Sequence, residues 1–297
     1  MLIDTHAHLN FNTFKDDADE VIRRSLNNNI WMINVGSQYE TSKIAVKIAE
    51  KYPQGVYAAV GLHPIHLETG LAKIKQDPEE VQFNTREEES KSVRSFPSSL
   101  SQSESSLFDY DKYKELAQYP KAVAIGEIGL DYYWKPKTKG KLELFKEKQR
   151  IVLCQQLKLA KELDLPVIFH CRMAHKNLIQ FLKENEQLRP PAAVAHGFVG
   201  NSDELKSYLD LGYYIGFSGI IFKKIEGIDF EENIRQMPLE KILIETDCPY
   251  LTPPRENGRN EPLYIKHIVQ KIAEIKNIDF EKVAEITTQN AKNLFKI

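Results

Sequence analysis

Leu2-Ile-Asp-Thr-His6-Ala-His8 opens the chain as a short apolar run that stops at two histidines. Its length, apolar start and abrupt polar end read as a buried strand. Four later runs repeat the plan: Ala122-Val-Ala-Ile-Gly-Glu127, Pro166-Val-Ile-Phe-His170, Ala192-Ala-Val-Ala-His196 and Ile242-Leu-Ile-Glu-Thr-Asp247. Each delivers a His, Glu or Asp where the strand ends. Parallel strands closed into a barrel gather all such ends on one face, so ligands spread over nearly the whole chain converge there.

Working outward, strands are expected near residues 2–8, 31–36, 56–62, 122–127, 166–170, 192–197, 213–217 and 242–246. Amphipathic stretches fall between them at 17–29, 41–51, 111–118, 141–164, 174–187, 202–210 and 229–236, with 262–276 and 280–293 closing the chain. This alternation predicts an α/β fold, a closed (β/α)8 TIM barrel. An open doubly wound sheet calls for fewer strands and a glycine-rich first turn, and no GxGxxG follows the first strand. The 297 residues suit one barrel domain spanning 1–297, since barrels commonly take about 250. One segment, about 77–109, is rich in Ser and Glu and poor in branched apolar residues. Most of it is expected to be a mobile loop after the third strand, on the ligand face, because it buries too little surface to offset ordering entropy. A tolerated surface insertion is the plain reading, and a partial lid or partner contact the alternative.

Composition is ordinary, 42% hydrophobic and 28% charged, enough for a sizeable core. A net charge of −2 gives no global basic field, so a nucleic-acid partner needs a local patch. Three cysteines, Cys154, Cys171 and Cys248, make neither a CxxC pair nor an even disulfide set, and point to a reducing compartment. The N-terminus lacks a secretory pattern, and no run approaches the ~20 apolar residues of a membrane span. A cytoplasmic location, or a nuclear one, is expected, with no membrane partner. The oligomeric state is left open, a monomer being sufficient.

His6 and His8, spaced i, i+2, leave the same face of a strand and can grip one cation. Five of the eight histidines, His6, His8, His63, His170 and His196, fall at strand ends. Glu127 and Asp247 add oxygen ligands, and a carboxylate can bridge two ions. The competing readings are a buried ion pair for Glu127 and a helix cap for Asp247. As a set, His6, His8, Glu127, His170, His196 and Asp247 are read as metal ligands. A divalent ion lowers the pKa of water towards neutrality, with Asp247 placed to accept the remaining proton. Cys171, beside His170, is read as an inert thiol rather than a nucleophile.

These residues lie in segments that resemble the TatD family of metal-dependent hydrolases and deoxyribonucleases, within the amidohydrolase-like barrels. The matching stretches are IDTHAHLN, VGLHP, AIGEIGLDYYW, LFKEKQ, LAKELDLPVIFHCR, HGFVG, YIGFSG, IETDCPYLTP and RNEP, in order over almost the full length. The resemblance implies two divalent metal ions, magnesium first, with manganese or zinc as alternatives. His6, His8, Glu127 and Asp247 would surround one ion, and Glu127, His170 and His196 the other. It also implies that His63 faces the substrate, that the activity is that of a 3′→5′ exonuclease, and that the partner is DNA. HGFVG departs from the more frequent His-Cys-Phe-Ser/Thr-Gly, which leaves His196 in place but alters its surroundings.

For substrate contacts, Arg172 and Arg259 match family positions suited to bidentate phosphate pairing. Lys135, Lys137, Lys139 and Lys141 follow the fourth strand on the same rim. Tyr132, Tyr133 and Trp134 offer faces for unpaired bases, each stack contributing roughly 1–3 kcal/mol. Tyr132 is the candidate substrate contact, although at least one ring of the three is expected in the core. The alternative function is ester or amide hydrolysis by the same chemistry, as in a D-aminoacyl-tRNA deacylase. A non-catalytic binding protein would be expected to have lost ligands, and all six positions are filled.

Overall fold

A computed structural model describes residues 1–67, 71, 77–80 and 107–297. Eight strands form one sheet in sequence order: β1 (Leu2–Ala7), β2 (Ile30–Val35), β3 (Val56–Val60), β4 (Ala122–Asp131), β5 (Val167–Arg172), β6 (Ala193–Ala195), β7 (Tyr214–Phe217) and β8 (Ile242–Ile244). All seven neighbouring pairs are parallel. Helices α1 (Ala18–Asn27), α2 (Tyr39–Glu50), α3 (Tyr110–Ala117), α4 (Lys139–Glu162), α5 (His175–Glu184), α6 (Ser202–Asp210), α7 (Phe230–Gln236), α8 (Ile265–Lys276) and α9 (Phe280–Phe295) run between and after them. The expected (β/α)8 barrel is the architecture observed.

Period-two alternation sorts the strand side chains into two cores. Leu2, Met32, Phe169, Ile242 and Ile244 face outward into the large cluster shared with the helices. Ile3, Ile33, Ile168, Val194 and Leu243 face inward and form a second cluster with Leu294 and Phe295 of α9. Burying each such side chain contributes about 1.5–3 kcal/mol. The end of α9 therefore plugs the strand-start end of the barrel. There Asn290 Nδ2 donates to the carbonyls of Leu239 and Ile242, and Thr288 Oγ1 to that of Met1.

The seam between β8 and β1 closes beyond the ends of the ladders. His8 N donates to Cys248 O at 2.9 Å and Asp247 N to His6 O at 2.9 Å. Beneath them the buried Asp4 carboxylate accepts from Thr246 N at 2.9 Å and Thr246 Oγ1 at 2.5 Å. Asp247 thus reaches His6 and His8 across the whole length of the chain.

Strand four extends past its expected end at 127, to Asp131, and all ten of its residues are buried. Gly129 makes the extension possible: a Cβ there would lie 1.9 Å from His170 O, with φ at 150°. Only glycine lets β5 come this close. The described ends of the Ser/Glu-rich segment are packed against the barrel loops. Residues 77–80 form a turn held by Asn12 N to Glu80 O at 3.1 Å and Thr13 N to Glu79 O at 3.0 Å, and Phe108 is buried. Residues 81–106, the bulk of the expected mobile loop, lie outside the described residues. The three thiols are free, and among the described residues no helix is long and apolar enough to cross a membrane.

Candidate metal centre

The carboxyl ends of β1, β4, β5, β6 and β8 bring the six sequence-flagged groups together. His6 in β1 and His8 just past its end bring their Nε2 atoms to 3.1 Å of each other. Asp247, just past β8, has a left-handed backbone at φ 56°, which aspartate tolerates better than most residues. Its Oδ1 lies 3.5 Å from His8 Nε2 and 3.9 Å from His6 Nε2. Glu127 stands in the middle. Its Oε2 is 3.5 Å from His6 Nε2, and its Oε1 is 2.7 Å from both His170 Nδ1 and His196 Nε2. Two compact triads result, His6–His8–Asp247 and Glu127–His170–His196, each with donor atoms within 4.8 Å of one another.

The donor set fits divalent cations. Imidazoles and carboxylates converge from separate strands, and His6 Nδ1 and His196 Nδ1 are buried with no hydrogen-bond partner among the described residues. Burial alone would raise the Glu127 carboxyl, but the imidazoles of His196, His63 and His170 outweigh it and hold it well below the usual carboxylate range. Burial works against protonation of His196 as well, yet the Glu127 and Glu245 carboxylates raise it well above an ordinary histidine. His63, with burial and the His170 charge acting the same way, is pushed well down. Asp247 is raised by burial, and the hydrogen bond from His8 and the charges of His6 and His196 turn it to a net lowering. These acids are ionised at neutral pH, as ligands must be.

The side chains of His6, His8 and Glu127 are 0%, 4% and 7% exposed, whereas that of Asp247 is 19% exposed. Asp247 is therefore the acid most open to incoming water. His63 Nε2 lies 3.5 Å from Glu127 Oε1, at the edge of the cluster. Its Nδ1 accepts from Ile65 N at 3.0 Å, which fixes the ring.

A supporting ring escaped the sequence reading. Asp131, delivered by the longer β4, sits 3.2 Å from His170 Nε2. Glu245, buried, lies 3.5 Å from His196 Nδ1 and accepts a hydrogen bond from Gly197 N. Each is spaced at an even interval from a flagged carboxylate on its own segment, Asp131 from Glu127 and Glu245 from Asp247. Strand periodicity was the available signal. His66, set apart from the site in the sequence, pairs with Glu80 at 2.8 Å, and Ser37 Oγ donates to the same carboxylate. Tyr250 OH donates to Asp77 at 2.8 Å. The stretch 77–80 thus straps the loops after β1, β2, β3 and β8.

Two expected substrate contacts lie elsewhere. Tyr132 is buried, 5% exposed, with Lys146 Nζ 5.3 Å from its ring centroid. No base can reach that ring without unpacking it. Arg259 has its guanidinium committed to Asp17 Oδ2 and Thr13 O, both at 2.5 Å, and stacked over Phe14. It fastens the β8 loop to the start of α1. Arg172 is exposed at the end of β5, its guanidinium 3.7 Å from the Tyr133 ring centroid.

A barrel with carboxylates and imidazoles clustered at its carboxyl mouth defines a metal-dependent hydrolase. The chain belongs to the family described as TatD related DNase, whose model matches residues 3–296. It is 34% identical over 300 residues to a Bacillus subtilis protein named uncharacterized metal-dependent hydrolase YabD, covering both chains fully. It is 30% identical over 302 residues to the Escherichia coli K12 protein named 3′-5′ ssDNA/RNA exonuclease TatD, covering all of this chain and 99% of that one. Among solved structures, the E. coli TatD homolog YJJV superposes with a TM-score of 0.76 at 27% identity, covering 100% of this chain and 98% of that one.

Proposed function

We propose that the chain degrades single-stranded nucleic acid, DNA first, from its 3′ end, using two divalent ions, with magnesium the physiological choice. His6, His8, Glu127 and Asp247 would hold one ion, and Glu127, His170 and His196 the other. The observation that carries this reading is the place of Glu127, whose two oxygens face the two ligand triads. Ions held there supply a Lewis acid for the phosphoryl oxygen and make water acidic enough to attack near neutral pH.

The protein's own groups do the rest. Asp247, ionised and the most open of the acids, accepts the proton of the attacking water as its oxygen bonds to phosphorus and the P–O3′ bond breaks. The 3′-oxygen leaves on the shortened strand and takes a proton from solvent to become its new 3′-hydroxyl. Asp131 hydrogen-bonds the ring of His170, and the Glu245 carboxylate stands 3.5 Å behind that of His196, which favours the nitrogens that face the cluster. Arg172, with no acceptor for its guanidinium among the described residues, is placed to pair with a phosphate. His63 stands where the substrate would approach Glu127. The three free thiols suit the reducing cytoplasm or nucleus.

The test is degradation of matched oligonucleotides labelled at the 3′ or the 5′ end. Chelation should abolish it and magnesium or manganese restore it, with the 3′ label released first as a mononucleotide. Glu127→Ala should lower kcat/KM on the order of 10³-fold, the scale of losing several kcal/mol of charge stabilisation. Wild-type rates in that variant would end the nuclease assignment. Hydrolysis of mischarged tRNA without oligonucleotide cleavage would move the reading to a deacylase.

A further inference from the structure

The turn after β4 carries an exposed aromatic pair beside the metal centre that the chemistry does not use. Tyr133 and Trp134 are 46% and 41% exposed. Their rings are perpendicular, with centroids 5.0 Å apart and 89° between planes. Arg172 covers one face of Tyr133. In such an edge-to-face pair the Trp134 ring either points its edge at Tyr133 or receives an edge on one face. Both arrangements leave Trp134 at least one face that neither neighbour covers.

The pair is tied directly to the site. Asp131 Oδ1 accepts from Tyr133 N at 2.8 Å, while its Oδ2 lies 3.2 Å from His170 Nε2. One carboxylate therefore sets both the ring of a candidate ligand and the start of the aromatic turn. Beyond it, Lys135, Lys137, Lys139 and Lys141 are exposed. None has an ion-pair or hydrogen-bond partner among the described residues. At a net charge of −2 for the whole chain, this ridge is a local basic field of the kind a polyanion needs.

We propose that Trp134 is the stacking platform for an unpaired base of the substrate strand, with Arg172 and the lysine ridge holding its phosphates. Tyr133 holds Arg172 by its ring face. This rests on the nucleic-acid reading above and specifies which strand it takes. Stacking on an aromatic face requires a base with a free π-surface, so a single strand is favoured over a duplex, whose bases are already stacked. The platform makes specificity for single strands a property of the β4 turn rather than of the metal cluster.

The experiment uses Trp31→Phe protein, which leaves Trp134 as the sole tryptophan of the two in the chain. Trp31 lies at the strand-start end beside Tyr57 and Lys292, far from the mouth. With metal chelated, a single-stranded oligonucleotide should quench the Trp134 emission, and the same sequence as a blunt duplex should quench it far less. In the magnesium-loaded full chain, Trp134→Ala should raise KM for the oligonucleotide roughly 5- to 150-fold, the effect of one lost stack, with kcat within about twofold. Trp134→Phe should recover most of that loss. Replacing the four lysines by Gln should flatten the salt dependence of binding, by about 0.7 in log–log slope for each phosphate no longer neutralised. Emission indifferent to the strand, or a Trp134→Ala KM equal to wild type, overturns the platform. Quenching without any strand degradation would instead overturn the nuclease reading and leave the platform standing.

Discussion

Glu245 occupies the space behind His196, buried and 3.5 Å from Nδ1 while Nε2 faces Glu127. A carboxylate in that place raises the basicity of the ring as a ligand. Glu245→Gln keeps the shape and removes the charge. It should weaken divalent-metal affinity of the stripped protein 10- to 100-fold by calorimetric titration, with little change in unfolding midpoint of the metal-free form; unchanged affinity would reduce Glu245 to packing. The principal candidate ligands were legible because apolar runs end on them. Asp131 and Glu245 were not, since a carboxylate four residues past Glu127, or two before Asp247, can be assigned to the site's side of the strand only once the register is known. Tyr132 and Arg259 are engaged within the fold in a way the sequence could not show. Sequence shows that a ring or a guanidinium is present but not that Lys146 covers the one and Asp17 holds the other.

At the scale of elements, alternating apolar runs located all eight strands and amphipathic stretches the helices. Strand four was read too short because its apolar run meets the polar Glu127 and then Gly129, and only the close approach of β5 explains Gly129. The α5–α6 contact carries a pH prediction. His175, the first residue of α5, is buried with Nδ1 3.1 Å from Tyr208 OH of α6, and burial lowers its pKa to about 4. In the unfolded chain it titrates near 6.5. The depressed value means that between these pH values the unfolded chain binds the proton and the folded one does not. Stability from this group is present above about 6.5 and is lost as pH falls towards about 4. Between pH 7 and 5 the loss is about 2 kcal/mol. His175→Gln, compared with wild type in urea unfolding at both pH values, should show a pH-dependent drop smaller by about that amount. Equal drops would mean that His175 opens to water without cost.

For the whole molecule, the barrel's closure and its metal centre are one structure. The candidate ligands come from β1, β4, β5, β6 and β8, and Asp247 meets His6 and His8 only because the seam is closed by Asp4, Thr246 and the bonds around Cys248. An ion gripping both sides of that seam binds the folded chain and has no comparable site in the unfolded one. Its binding is therefore folding energy, amounting to RT ln(1 + [M]/Kd) for each site. Well above Kd this is about 1.4 kcal/mol for each tenfold rise in free metal per ion, so two ions give about 2.7. Urea unfolding in magnesium or manganese, titrated over at least two decades above chelator-stripped protein, reads that slope directly. A slope near 2.7 requires two ions released on unfolding, and one near 1.4 would leave Glu127 serving a single metal rather than bridging a pair. A stability indifferent to divalent metal would mean that imidazoles and carboxylates meet at the mouth for packing alone, and hydrolysis by activated water would lose its basis.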